Sequence, residues 1–327
     1  MKCRIALALL VASMMPLAAR AGDVRVVTAA LLYETGQVAP AVDYRLVSDD
    51  GSLWRFAVEG WTLAATREKT MSKHARWFAT LSATPHNAHS SERIYRGGAR
   101  AHDLEFGDAA VSVQAGVRLS ESDHNATDVS AIIGREIIGD DAPLALREDW
   151  RTPYFGMRFT HRLRFVTADD PLTARIRGVE IAATGEGFGG RRAWARGIVT
   201  EEAGWPAGPL HLRQSLALMN GSHLDTVSAF LTGGSWDVLR ATTLYGTRFA
   251  EFRLNRGAIA SVGADFNITR SLEVGLRASA LRAPSLHKTG ALVQLMKRTG
   301  GLQISIGAGK SDGRTTIMAS VGGAVFR

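Results

Sequence analysis

The sequence predicts an all-β chain: a single antiparallel up-and-down transmembrane β-barrel of about 12–16 strands. Three observations predict it. Apolar and polar residues alternate along many segments, the period of a strand with one face in lipid and the other on a lumen. Beyond the N-terminal leader, no uninterrupted apolar stretch reaches the roughly 20 residues that a membrane-crossing helix requires. Cysteine occurs only as Cys3. The rest of the chain therefore has no disulfide, thiolate nucleophile or cysteine metal site, and must be held by its core or by closure of a sheet.

The leader comes first. Met1-Lys2-Cys3-Arg4 is basic, Ile5 to Pro16 is apolar, and Leu17-Ala18-Ala19-Arg20-Ala21 supplies an Ala-x-Ala pattern. Together they read as a secretory signal over residues 1–21, cleaved after Ala21, with a barrel domain over 22–327. Lys2, Arg4 and Arg20 leave with it, which lowers the formal charge from +8 to +5. A modest positive charge on an exported chain suits anionic partners such as lipid phosphates, lipopolysaccharide or acidic sugars, and argues against nucleic acid.

The alternation is read segment by segment. From Ala110 to Ser120, Val111, Val113, Ala115, Val117 and Leu119 oppose Ser112, Gln114, Gly116, Arg118 and Ser120. Tyr154 to Phe165 sets Phe155, Met157, Phe159, Leu163 and Phe165 against Arg158, Thr160, Arg162 and Arg164. Leu210 to Leu218, Ala260 to Ile268, Leu272 to Ser279, Leu302 to Gly309 and Thr315 to Phe326 repeat the pattern, and Arg175 to Ala183 is a plausible further strand. Turn residues fall between them at Asp49-Asp50-Gly51, Gly139-Asp140-Asp141, Asp169-Asp170-Pro171, Thr299-Gly300-Gly301 and Ser311-Asp312-Gly313-Arg314. The polar stretches Pro85–Arg100, Glu121–Asp128 and Ala203–Gly208 read as surface loops. Val129 to Trp150 is poorly patterned and fits a helix, a loop or an irregular strand. A soluble exported β-sandwich shows similar alternation, because one face of each of its strands is core. Its strands are commonly about 5–6 residues long, shorter than the alternating segments here.

The signal, the cysteine-free remainder, the alternation and Phe326 near the C-terminus resemble Gram-negative outer-membrane β-barrel proteins as a class. The resemblance implies an outer-membrane location among lipid and lipopolysaccharide, and a last strand whose aromatic Phe326 is read by the barrel assembly machinery. Arg327 follows Phe326, a departure from the usual aromatic last residue. Aromatic residues make up 7% of the chain, few for the girdles such barrels carry at both interfaces.

Candidate chemistry is sparse. Gly185-Glu186-Gly187-Phe188-Gly189-Gly190 matches G-x-G-x-x-G, but a dinucleotide site requires a helix next, and Arg191 to Gly197 reads as another strand. The motif is a glycine-rich hairpin loop on this reading, and no cofactor is expected. None of the nine histidines has metal-ligand spacing, so no metal is expected either. His211 and Ser215 are four residues apart, roughly 13 Å along a strand, too far to share a proton. Asn220-Gly221-Ser222-His223 has serine and histidine in a turn-like order. Arginines are the stronger signal. Arg158, Arg162 and Arg164 share a face, and Arg175, Arg177, Arg213 and His211 lie on nearby segments. Turned inward, they would line a lumen that favours anions. The expectation is a pore or exporter for anionic solutes or polymers. The alternatives are a barrel enzyme acting on lipid A or phospholipid, and a non-catalytic surface or assembly barrel.

Overall fold

A computed structural model of the chain describes residues 23–34, 37–48, 51–59, 62–84, 95–96, 99–100, 108–140, 142, 147, 153–170, 175–190, 193–225, 227–234, 242–248, 251–300 and 302–325. The strands are β1 (Asp23–Glu34), β2 (Gln37–Val47), β3 (Leu53–Glu59), β4 (Thr62–Ser72), β5 (Ala75–Thr84), β6 (Tyr95–Arg96), β7 (Ala99–Arg100), β8 (Asp108–Ser122), β9 (Asn125–Ile138) and β10 (Tyr154–Asp170). They continue as β11 (Arg175–Gly189), β12 (Trp194–Ala207), β13 (Leu210–Ser222), β14 (Phe230–Thr232), β15 (Phe252–Leu254), β16 (Arg256–Asn267), β17 (Leu272–Ala283), β18 (Leu286–Thr299), β19 (Leu302–Ser311) and β20 (Arg314–Val325).

Sixteen of these close into one barrel, in chain order with β6–β7 and β14–β15 left out as separate two-stranded ribbons. All barrel neighbours are antiparallel. β1 seals the barrel against β20, from Val27 opposite Val325 to Glu34 opposite Met318. The strand number falls at the upper limit of the expected range. No helix among the described residues is long and apolar enough to cross a membrane.

The long connections gather at one end, among short turns such as 284–285 and 312–313. Where β1 begins and β20 ends, turns are short: 48–52, 73–74, 123–124, 208–209 and 268–271. The long connections 85–107, 139–153 and 223–255 all lie at the opposite end. Asp312 and Gly313 join β19 to β20 with φ of 48° and 76°. Two positive φ values give the twist that a two-residue hairpin needs, which is why Asp-Gly stands there.

Several segments read differently from the sequence expectation. Glu121–Asp128 is no loop: β8 and β9 run through it, joined by a turn at 123–124. Ala203–Ala207 completes β12. Val129–Ile138 is regular strand, with alternate residues buried. Gly185–Gly189 lies within β11, so the glycine motif is strand rather than hairpin loop. In each case the ladder overrode local composition, because neighbouring strands of this length offer backbone partners that a loop would forgo. Residues 1–21, expected to be a secretory signal, most of Pro85–Arg100, and Phe326 lie outside the described residues.

Parity divides the wall. Outward side chains are apolar and open, with Phe155 63%, Met157 62% and Val262 61% exposed, alongside Leu276, Ile304, Ile306 and Ile317. A continuous exposed apolar face of this kind requires a nonaqueous covering. Inward positions carry hydroxyls, amides and charges. Hydroxyl pairs bridge strands at Thr66–Thr80 (2.9 Å), Thr160–Thr184 (3.2 Å) and Ser305–Ser320 (2.6 Å), and Gln114 donates to Ser130 at 2.8 Å. The most enclosed pair is Arg277 with Asp265, each side chain 1% exposed. Glycines make room for it. A Cβ on Gly263 would lie 2.6 Å from Arg277 Cδ, and one on Gly275 would lie 2.8 Å from Asp265 Oδ1.

Removing one partner of a buried pair strands the other charge. Arg277→Ala is expected to cost about 3–5 kcal/mol, read as a lower midpoint of thermal unfolding in detergent. Arg277→Met combined with Asp265→Leu is expected to cost less than Arg277→Ala alone.

Candidate functional site

The inward wall is built from arginine–carboxylate braces that cross between strands. Asp43 on β2 holds Arg45 (2.8 Å) and Arg55 (2.9 Å). Arg118 on β8 joins Glu68 on β4 (3.2 Å) to Asp128 on β9 (2.7 Å). Glu186 on β11 holds Arg158 at 2.5 Å and Arg196 at 2.8 Å. Glu180, on the same strand, holds Arg162 at 3.3 Å and Arg164 at 3.0 Å. The register explains the pairing, since Arg158 faces Glu186 and Arg164 faces Glu180 directly across the ladder.

These braces are asymmetric in depth. The side chains of Arg158, Arg162 and Arg164 are 36%, 43% and 41% exposed, whereas Glu186 and Glu180 are 7% and 17% exposed. Arg118 likewise stands above Glu68 and Asp128, and Arg45 and Arg55 above Asp43. The carboxylates lie against the wall and the guanidiniums cover them. An arginine's long stem lets it lie over its partner while its head stays in water.

The sequence-chosen residues separate accordingly. Arg158, Arg162 and Arg164 share the inward face of β10. Arg213 and His211 share that of β13, His211 opposite Asp265 and Arg213 opposite Gly263. A Cβ on Gly263 would lie 3.1 Å from Arg213 Cγ, so Arg213 shares the glycine-lined space of the Arg277 pair. Arg177 is exposed at the short-turn end of β11, beyond a bulge opposite Val166 and Ala168, on the outward parity of Val179 and Ile181. Arg175 stands opposite Asp170 at the same end, and its side chain lies outside the described set. Ser215 Oγ lies 2.5 Å from Ser261 Oγ across the ladder. His161 faces outward and its Nδ1 lies 2.9 Å from Thr127 Oγ1. His223 follows the end of β13 with φ of 56°. Among the described residues no group of three His, Cys, Asp or Glu side chains is placed to hold a metal.

The connection between β13 and β16 was not singled out by sequence reasoning. Its described parts, 223–225, 227–234, 242–248 and 251–255, fold back into the barrel at the long-loop end. Leu224, Phe230, Leu244 and Leu254 pack with the wall residues Trp194, Met219, Ile259 and Leu281 in one buried cluster. Tyr245, 2% exposed, packs with Leu292 and Met318, and its amide donates to Ser279 Oγ at 2.8 Å. Wall glycines admit the backbone: a Cβ on Gly290 would lie 1.7 Å from the Tyr245 carbonyl oxygen, and one on Gly309 2.7 Å from Gly246 Cα. Arg196 is the polar clamp. It donates to the Ser228 carbonyl at 2.6 Å and lies over both the Trp194 ring (5.1 Å) and the Phe230 ring (5.6 Å). Arg314 on β20 reaches Glu251 at 3.5 Å, and Glu251 accepts the Arg248 amide at 2.8 Å. The signal available in the sequence was apolar content, Leu224, Phe230, Leu244, Tyr245, Phe252 and Leu254, in a connection between strands.

No family model matches the chain, and no curated protein sequence matches it significantly. Solved structures do. BamA from Haemophilus ducreyi, lacking its POTRA domains 1–3, superposes with a TM-score of 0.68 at 9% identity, covering 93% of this chain and 71% of that one. CdiB from Escherichia coli gives 0.60 at 14% identity (91% and 63% covered), and CdiB from Acinetobacter baumannii 0.54 at 8% (92% and 60%). The chain thus spans under two thirds of the length of either CdiB. At these identities the likeness is one of fold.

A methyl group at position 290 cannot coexist with the observed place of Tyr245. Gly290→Ala is expected to expel the 224–254 segment, raising its cleavage rate in limited proteolysis by about tenfold or more, as about 1.4 kcal/mol of lost packing would, while the barrel keeps its thermal midpoint.

Proposed function

We propose that this chain is an outer-membrane barrel, exported by a cleaved signal, that serves as a pore or exporter for anionic solutes or polymers. The apolar outward wall and the gathering of all three long connections at one end support the membrane reading. The end with short turns only is then the periplasmic one, as in bacterial barrels.

The observation that carries the anionic reading is the depth asymmetry of the braces. A wall with equal numbers of acids and bases at equal depth would be neutral to a passing solute. Here the guanidiniums are the nearer groups, so an anion in the lumen meets hydrogen-bond donors before it feels the carboxylates beneath. Rings of arginine lower the barrier for anions and raise it for cations. Arg158, Arg162 and Arg164 form the contact row, and Arg213 and His211 extend it around the wall. Arg177, on the outward parity, takes no part in the contact row. The carboxylates hold the guanidiniums in place and limit how tightly an anion binds, which conduction requires.

The 224–254 segment is the constriction. Its described residues pack against the wall and narrow the long-loop end, so low conductance at rest is expected. Passage of anything large requires it to move.

Reversal potentials in planar bilayers test the reading. The expected result is anion preference in the wild type, weakened in Arg162→Glu, with conductance raised when the segment is replaced by a short linker. Cation preference in the wild type contradicts it.

A further inference from the structure

The outer wall over β2–β5 carries a feature that the conduction reading leaves unused. Parity there separates opposite charges across the sheet: Glu68 turns inward to Arg118, while Arg67 and Lys69 on either side of it turn outward. Arg67 stands opposite Trp54 on β3, and Trp77 lies beside it on β5. Its guanidinium carbon is 5.3 Å from the Trp54 ring centroid and 5.9 Å from that of Trp77. Trp54 stacks on Phe56 with centroids 6.1 Å apart and planes within 7°. Both tryptophans lie close to the short turns, Trp54 just after the 48–52 turn and Trp77 just after 73–74. Lys69 and Lys73 are exposed towards the same end.

We propose that this arrangement is a binding site for the phosphate headgroup of an anionic phospholipid, in the leaflet nearer the short turns. The proposal rests on the membrane reading above. Tryptophan rings at a bilayer interface sit at headgroup depth with one edge wet. Two indoles flanking one guanidinium hold its plane by cation–π attraction and cut the entropy lost when it meets a ligand. A guanidinium so held presents in-plane N–H groups, the geometry that matches two phosphate oxygens at once. Lys69 and Lys73 add positive charge that a zwitterionic headgroup would not repay. Acyl chains of the same lipid meet Phe56, Leu63 and Leu81 on the wall.

The test uses the full chain, folded in detergent with equal phosphatidylglycerol and phosphatidylcholine, with retained lipid counted by native mass spectrometry. Each basic residue near an anionic surface contributes about 1 kcal/mol, about a fivefold preference. Wild type is expected to retain phosphatidylglycerol over phosphatidylcholine by at least that factor, and Arg67→Gln to lose about fivefold. Arg135→Gln, an outward arginine near the opposite end, is expected to leave the ratio unchanged. Trp77→Leu keeps the charge and removes half of the flanking pair; it is expected to lower the ratio by a smaller factor, and serves if Arg67→Gln does not fold. Equal retention of the two lipids by a barrel that resists unfolding in unboiled gel samples overturns the site alone. A chain that never forms a detergent-resistant barrel overturns both the site and the membrane reading.

Discussion

The pairing of β1 with β20 turns a sheet into a barrel, and the rest of the structure depends on that closure. An open sheet of this length would leave two rows of unpaired amides and carbonyls, each costly in a nonaqueous medium. Once closed, every strand has two neighbours and the alternation of side chains acquires a fixed meaning. One parity faces the surroundings and the other faces the interior. A shift of one residue anywhere in the ladder would send Phe155 and Met157 inward and Arg158 outward, so the register is held by the cost of misplacing both sets.

The interior poses its own problem. A sixteen-stranded barrel is too wide for wall side chains to meet across it. The chain answers differently at its two ends. Towards the short turns, charged groups brace one another along the wall, in pairs and triads such as Glu68–Arg118–Asp128. Towards the long connections, the described residues of the 224–254 segment enter and supply the missing core, with Thr232, Thr243 and Leu244 fully buried. Arg196 belongs to both systems, since it is braced by Glu186 and also clamps Ser228 and Phe230. Movement of the segment is therefore coupled to the electrostatics of the arginine row, because losing the Arg196 contacts frees a guanidinium next to Glu186.

Much of the fold was legible in the sequence, and the reason is the two-residue period. Ala110–Ser120 and Tyr154–Phe165 declare both strand and face, and the Asp312-Gly313 turn declares its hairpin. The inward placement of Arg158, Arg162 and Arg164 follows from that period alone. The exact pairing does not, because which carboxylate meets which arginine, Glu186 for Arg158 and Glu180 for Arg164, is set by register between strands, which no single segment encodes. The inserted segment escaped notice for a related reason. Its apolar residues have neither strand nor helix period, as they pack irregularly against a wall formed by distant strands. The glycines of Gly185–Gly189 misled in the opposite direction, since local composition suggested a turn where the ladder imposes a strand. Arg177 follows the same period, since it shares the outward parity of Val179 and Ile181 on its own strand.

The central claim is that alternate residues of one strand face lipid and water. Cysteine accessibility on β10 tests it most directly, since Cys3 is the only native cysteine. Thr160→Cys and Phe159→Cys, each in the full chain reconstituted into bilayers, would be exposed to a membrane-impermeant maleimide. The account predicts labelling at 160 and protection at 159. Equal labelling at both positions, or labelling at 159 with protection at 160, would contradict it.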